Sequence, residues 1–370
     1  GLLGVAFLAG WAWLPLRAPP PQRWTDAPRE VNVVLEVEQV YAPAPGRRTF
    51  SGLARIVRGD GAAARLAGER VYFAAIRRIS RVPEVSGHYE FRGLIESVPA
   101  PTGAARGFDR HLQNLGVGLR LMRGRLGEEV RAPHGFRRFC ARAQDRLAAL
   151  LGHGLERHPE LVSLHQAMLL GEKAVLSQAQ ENAFMRSGVF HIFSISGLHV
   201  GVIAGAILAV LGVLRVPRRV GSVVGLAVLW LYVQVTGAST PAERAFLMIA
   251  FFVSSRVFLL PGNPLAALAG AALVTLLLDP RQLFTTGFQM SYSVVTALVV
   301  LGGPLADAWR AAWKPWRYLP EADWNQAQHF TRWLGGHAIV CAAITWTACL
   351  ASTPSSIANF GLFSPGALLG

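Results

Sequence analysis

From Val31 to about Val98 the chain alternates with a period of two. Val33, Leu35 and Val37 interleave with Val34, Glu36 and Glu38, and Tyr89, Phe91 and Gly93 with Glu90, Arg92 and Leu94. This period sends successive side chains to opposite faces of a strand. Turn signals at Ala42-Pro43-Ala44-Pro45-Gly46, Gly59-Asp60-Gly61 and Val82-Pro83 mark off short strands, about five in all. Strands this short and this evenly spaced suit a small closed barrel, which leaves no sheet edge open. The expectation for residues 29–132 is therefore an OB-like β-barrel. The period then lengthens. Phe139, Ala143, Leu147 and Leu150 or Leu151 recur at helical spacing, with Arg137, Arg138, Arg142 and Arg146 largely on other faces. This predicts a basic amphipathic helix from Phe136 to Leu151, inside a linker spanning 133–190. Two places suit such a helix, the lipid headgroup region or the underside of the barrel.

After residue 190 the pattern changes again. Apolar segments follow one another at Ile192–Leu214, Val220–Val235, Ala245–Leu260, Leu265–Leu278, Phe288–Leu301 and Leu334–Ala351. Several fall short of the roughly 20 residues of a simple spanning helix and are broken by Gly or Pro, as occurs where backbone is buried in protein or lines a cavity. Leu2–Leu16 is a further apolar run, expected to be a truncated first span over residues 1–16, with a proline-rich exit after it. The fold class expected is an α+β membrane protein: a small β-barrel followed by a polytopic α-helical bundle over 191–370, incomplete at its C-terminus.

Composition supports this division. Hydrophobic residues make up 52% of the chain and charged residues 16%, against about 25% charged in an average soluble protein. Residues 1–190 hold 26 Lys+Arg and 17 Asp+Glu, whereas residues 191–370 hold 10 and 5. The second half is too poor in charge to coat a water-facing surface, so its solvent is expected to be lipid. Net charge is +14 and comes almost wholly from arginine, which favours a polyanionic partner, nucleic acid or anionic lipid. Arg215, Arg218 and Arg219 follow the first span of this half, and Arg310, Lys314, Arg317 and Arg332 precede the last. The positive-inside rule makes both loops cytoplasmic and the barrel extracytoplasmic. Within 31–132, 16 arginines stand against 10 acids among aromatic residues. Counter-charge beside stacking platforms is what single-stranded nucleic acid requires, and the candidate DNA contacts are Arg70, Tyr72, Tyr89 and Arg92. Cys140, Cys341 and Cys349 give no metal-type spacing. No metal and no cofactor are expected.

The stretch Phe190-His191-Ile192-Phe193-Ser194-Ile195-Ser196-Gly197-Leu198-His199-Val200-Gly201 places two histidines, two serines and two glycines where a membrane helix should begin. It closely resembles the signature of the ComEC family of competence proteins, which carry transforming DNA into bacteria. Other pieces agree in order: Leu169-Leu170-Gly171-Glu172-Lys173, Phe184-Met185-Arg186-Ser187-Gly188, Thr236-Gly237-Ala238-Ser239 with Arg244, and Gly287-Phe288-Gln289-Met290-Ser291. Phe108-Asp109-Arg110-His111-Leu112 and Gly116-Val117 look like the motif closing the family's extracytoplasmic domain. The resemblance implies a multi-pass inner-membrane channel that passes one DNA strand into the cytoplasm, working with other competence proteins and possible as a homo-oligomer. Many family members add a C-terminal metallo-β-lactamase-like domain; no His-x-His-x-Asp-His run occurs here, so no nuclease or other catalytic residue is assigned.

A polyanion crossing hydrocarbon needs polar groups along a hydrated route. Candidates for that lining are His191, Ser194, Ser196, Gly197, His199, Gly201, Gly237, Arg244, Gln289 and Ser291. The glycines at 197 and 201 also allow close helix approach, channel or not. Two rival readings remain. Ile195-Ser196-Gly197 with His199 resembles an intramembrane serine peptidase, in which a histidine activates serine, although those enzymes take the histidine from another helix, which would require His329 or His337. A generic small-solute transporter is the other, without the internal repeats usual in that class.

Overall fold

The computed structural model describes residue 13 and residues 20–41, 49–76, 83–99, 107–155, 157–171, 180, 197–258, 262–316, 318–319 and 324–360. The expected span over 1–16 lies outside these apart from Trp13. The chain divides into two compact units, Gly1–Phe246 with Thr275–Thr285, and Leu247–Val274 with Thr286–Gly370.

The first unit opens with five strands, β1 (Arg29–Tyr41), β2 (Thr49–Gly59), β3 (Arg70–Ile76), β4 (His88–Ser97) and β5 (Leu119–Arg131). They close in the order β1-β2-β3-β5-β4. All neighbours are antiparallel except β3 and β5, which run parallel. This is the OB-like barrel that the two-residue period predicts. Val31, Val33, Leu35 and Val37 of β1 point inward, and Tyr89, Phe91 and Ile95 do the same from β4. They meet Phe73 and Leu121 in one apolar core. Phe73 packs edge-on against Phe91, with ring centroids 6.3 Å apart.

Phe91 fits because two glycines make room for it. A Cβ on Gly124 would collide with the Phe91 ring, and one on Gly93 would meet both that ring and the Gly124 backbone. Just before Gly124, β5 carries an extra residue relative to β3, with Phe73 opposite Leu121 and Ala75 opposite Gly124. At this bulge Arg123 adopts a left-handed φ of 52°, the local turn that a bulge requires.

A short helix, α1 (Gly107–Asn114), lies between β4 and β5. Leu112 and Val117 are buried with Leu53 of β2, and Tyr41, Tyr72 and Leu115 pack against them. The outer face of β2 and β3 is thus covered by this helix. Arg120 of β5 pairs with Asp109 of α1 at 3.2 Å and fixes the helix in place.

Two helices follow, α2 (Gly135–Gly152) and α3 (Pro159–Leu170), and then α4 (Gly197–Val213), α5 (Arg218–Val235), α6 (Thr240–Val257) and α7 (Pro264–Leu278). Next come α8 (Thr286–Ala297), a π turn at Leu298–Gly302, α9 (Gly303–Ala312) and α10 (Gln326–Phe360). Among the described residues three segments are long and apolar enough to cross a membrane: Arg218–Val235, Thr286–Ala312 and Gln326–Ala358. Gly197–Val213 and Pro264–Leu278 are apolar but shorter. The last helix runs well beyond the expected Leu334–Ala351 at both ends. At 1.5 Å per residue it is about 52 Å long, more than the ~30 Å of a hydrocarbon core. It continues through Pro354. Proline removes a backbone donor there; one residue earlier Thr353 Oγ1 donates to the Cys349 carbonyl at 2.6 Å.

Replacing Gly124 with Ala is expected to lower barrel stability by about 1–3 kcal/mol through overpacking. Trimming the facing ring with Phe91→Leu in the same chain should recover part of that loss, read as protease resistance of the barrel in the full protein against temperature.

Candidate functional site

His191, Ser194 and Ser196 lie outside the described residues. Gly197 opens α4, and a Cβ placed there would sit 3.6 Å from the Ala245 Cβ, an ordinary contact. The starts of α4 and α6 therefore meet through small residues. Gly201 behaves differently. Nothing lies within 4 Å of where its Cβ would be, so the close helix approach expected at both glycines occurs only at the first. His199 is half-buried on the same helix.

Gly237 ends α5. The Ala238 amide donates to the Val233 carbonyl at 2.9 Å and the Gly237 amide to the Gln234 carbonyl at 3.2 Å. This doubly bonded helix stop needs a left-handed residue, and Gly237 supplies φ 87°. Its role here is to turn the chain from α5 into α6. Seven residues on, Arg244 is only 4% exposed. A guanidinium keeps its charge, and a buried charge is costly unless its surroundings compensate it. Neighbouring Glu243 lies within electrostatic reach of Arg244 and of Arg137 on α2.

Gln289 and Ser291 belong to the second unit. On α8 Gln289 is exposed and Ser291 half-buried, while Phe288 and Tyr292 turn inward with rings 4.3 Å apart. The structure brings Gly197 together with the start of α6 and places Gly237 and Arg244 around that start.

The barrel is tied to the turns of the helical part. Asn114 Nδ2 donates to the Phe284 carbonyl at 2.9 Å. The Arg281 side chain lies directly over Gly116, whose φ is 74°; any side chain at 116 would displace it. Both contacts fall on the 3₁₀ turn Pro280–Phe284, which Asp279 caps by accepting from the Arg281 amide. The closing motif noted in the sequence thus has two jobs. Its Asp109 and Leu112 hold α1 on the barrel, and the following Asn114 and Gly116 meet the turn after α7.

On the barrel surface the four candidate DNA contacts separate. Tyr89 is 7% exposed and its hydroxyl accepts from the Glu84 amide at 3.0 Å. Its ring belongs to the core, so the expectation of a stacking face at this position is corrected. Tyr72 is half-buried between Tyr41, with centroids 6.4 Å apart, and Phe108 at 5.3 Å. Arg70 donates to Glu38 at 2.6 Å. Arg92 is exposed and bonds Glu30 at 2.8 Å, which pulls the Glu30 carboxyl below its ordinary range.

Arg92 faces Asn32 across β1 and Arg125 across β5, and Arg58 stands opposite Val34. These residues, with Asp60 and Glu90, rim a cleft of about 420 Å³. Sequence reasoning singled out Arg92 alone. Arg58 and Arg125 come beside it only through strand register, which composition does not reveal. Among the described residues no group of three or more His, Cys, Asp or Glu could hold a metal ion.

The sequence profile of the competence protein family matches residues 168–370. The chain belongs to the competence protein family. The matched stretch begins at the end of α3 and covers every helix from α4 to α10. Over 142 residues this competence protein is 30% identical to ComE operon protein 3 of Bacillus subtilis (strain 168), covering 38% of this chain and 18% of that one. Over 149 residues it is 31% identical to Competence protein ComA of Neisseria gonorrhoeae, covering 37% and 21%. The chain thus aligns with about a fifth of the length of each of these relatives. No solved structure matches it.

One group in the covered face of the barrel gives a pH test. Burial is the main cause that pushes the Tyr41 hydroxyl up to about 12, with Tyr72 adding to the effect and Arg70 opposing it. An acid whose pKa is higher in the folded state keeps its proton longer when folded. Its stabilisation is therefore complete below pH ~10 and is lost as pH rises toward 12, by an amount of order 2 kcal/mol. Tyr41→Phe should remove this alkaline loss. Among the described residues the Tyr41 hydroxyl has no hydrogen-bond partner, so the same variant should be neutral or stabilising by up to about 1 kcal/mol at pH 7. Unfolding curves at pH 7, 10 and 11.5 check both effects.

Proposed function

We propose that this competence protein takes part in DNA uptake as a channel component of the bacterial inner membrane. In this reading its barrel stands on the extracytoplasmic side and its helices enclose the route of a single strand. The observation that carries it is the competence-family match over 168–370, which falls on the charge-poor apolar helices. The contacts of Asn114 and Gly116 with the turn after α7 support a barrel placed at the mouth of such a route. The arginine-rimmed cleft supports contact with phosphates: a chain of phosphates can pair with exposed guanidiniums, and the Glu30 that Arg92 now holds is itself solvated.

Within that reading the polar and small residues at the start of α4 line the entrance. Their task is to leave space and offer hydrogen bonds, with no bond made or broken. Gly197, whose added Cβ would touch the Ala245 Cβ at 3.6 Å, is the point of that set where two helices meet. Other competence proteins, and a second copy of this chain, are the protein partners this role calls for.

Gly197→Ala should leave uptake of labelled DNA within about twofold of the parent, because a Cβ fits there without a clash. Gly197→Phe should abolish uptake while the protein still reaches the membrane at normal levels. Equal uptake by the two variants would reject a constriction at this point. Retained uptake in Ser196→Ala fits a channel, whereas its loss, with Gly197→Phe still active, would favour peptidase chemistry.

For the barrel, replacing Arg58, Arg92 and Arg125 with Gln should weaken single-stranded DNA binding. It should also make the plot of log affinity against log salt shallower by about 2, at ~0.7 per phosphate lost. An unchanged slope in titrations from 50 to 200 mM salt would remove the cleft from the proposal.

A further inference from the structure

Helix α2 carries two parallel ridges. Arg138, Arg142 and Arg146 are spaced four apart and exposed, and Phe139, Ala143 and Leu147 run beside them at the same spacing. Residues four apart on a helix share a face. The apolar ridge does not close against the protein. Between it and Val228, Leu231, Tyr232 and Val235 of α5 runs a groove of about 500 Å³. Its lining is aliphatic and aromatic, broken only by the stems of Arg142 and Arg146. The Tyr232 hydroxyl offers no polar handle, since it already donates to the Leu169 carbonyl at 3.0 Å. Phe136 stacks on Trp230 with centroids 5.4 Å apart and 20° between planes, which holds the start of α2 against α5.

We propose that this groove binds an anionic phospholipid, one acyl chain lying along α5 and the phosphate held by Arg142 and Arg146, with Arg138 one turn away adding positive potential. Three features select this occupant. First, α5 is long and apolar enough to cross a membrane, so a trough along it opens toward lipid. Second, the groove volume lies within the 300–1,000 Å³ of ordinary ligand sites, and its aliphatic walls match a hydrocarbon chain. Third, the rim is cationic: α2 holds four arginines and one acid, Asp145, and Arg137 already faces Glu243. That leaves the exposed guanidiniums of Arg142 and Arg146 on the groove for the phosphate, which their planar forks suit, with Arg138 one turn beyond. A nucleic acid strand would satisfy the arginines but leave the aliphatic trough empty.

The test uses the full chain, stripped of lipid in detergent and titrated with dioleoyl phosphatidylglycerol or dioleoyl phosphatidylcholine, with bound lipid counted by native mass spectrometry. The parent should hold one phosphatidylglycerol more tightly than phosphatidylcholine. Arg142→Gln with Arg146→Gln should weaken phosphatidylglycerol binding about tenfold or more, in line with the attraction of surface arginines to anionic lipid, and leave phosphatidylcholine binding unchanged. Ala143→Trp, which fills the trough, should lower phosphatidylglycerol binding with all arginines in place. If that variant fails to fold, the exposed arginine pair still decides. Inorganic phosphate at equal concentration should not compete. Equal affinity for the two lipids, an unchanged double variant, or competition by phosphate would each overturn the proposal. Displacement of the lipid by an oligothymidylate would overturn it too and assign the surface to DNA.

Discussion

The helical part of this protein leaves its apolar surface open, and that constraint governs the rest. Within the three candidate spans, between 11% and 28% of residues are buried inside the protein. Leu198, Val213, Val223 and Leu278 are more than 60% exposed. Exposed apolar residues are normal singly, but here they run along whole helices that lack charge to compensate. Such surface is stable only when hydrocarbon covers it, so the bilayer completes this fold. Every polar group in the region then has to be satisfied from within. Thr236 bonds the Tyr232 carbonyl at 3.0 Å, and Thr347 bonds Ala343 at 2.8 Å. Arg244 lies buried at the start of a helix, near Glu243.

The barrel obeys the opposite rule. It gathers most of its apolar residues inside and shows charge outside, and its stability rests on a small core in which Phe73, Phe91, Leu35 and Ile56 are almost fully enclosed. The closed strand order leaves no edge to pair with another chain. What the barrel presents is decided by α1. By covering the β2–β3 face, this helix removes Tyr72 from open display, while the arginine-rimmed cleft on the β1–β4 side stays accessible. The same helix ends in the residues that reach the Pro280–Phe284 turn, so one short element both selects the exposed face of the barrel and anchors it.

Much of this architecture was legible in the sequence, for a physical reason. Periodicity is a local property, and Val33-Val34-Leu35-Glu36-Val37-Glu38 states inside and outside without reference to any other segment. The alternation around Tyr89 and Phe91 was read correctly, and it already implied that Tyr89 points into the core. The stacking role assigned to Tyr89 came from composition, which knows nothing of facing. The amphipathic helix was legible too, but its setting was not. Its arginine and apolar ridges belong to one helix, whereas the groove needs Val228 and Leu231 from another, some 80 residues away.

The sequence by itself determined most of the elements, the fall in charge density after residue 190 and the family, because hydrophobic period, charge density and short motifs are all written along neighbouring residues. Only the tertiary structure decided that Arg58, Arg92 and Arg125 share a cleft, that Gly116 receives Arg281, that Gly197 meets Ala245 while Gly201 meets nothing, and that Gly237 is a helix stop. Each of these depends on strand register, helix approach or a backbone dihedral, quantities fixed by packing between distant segments that no local pattern encodes.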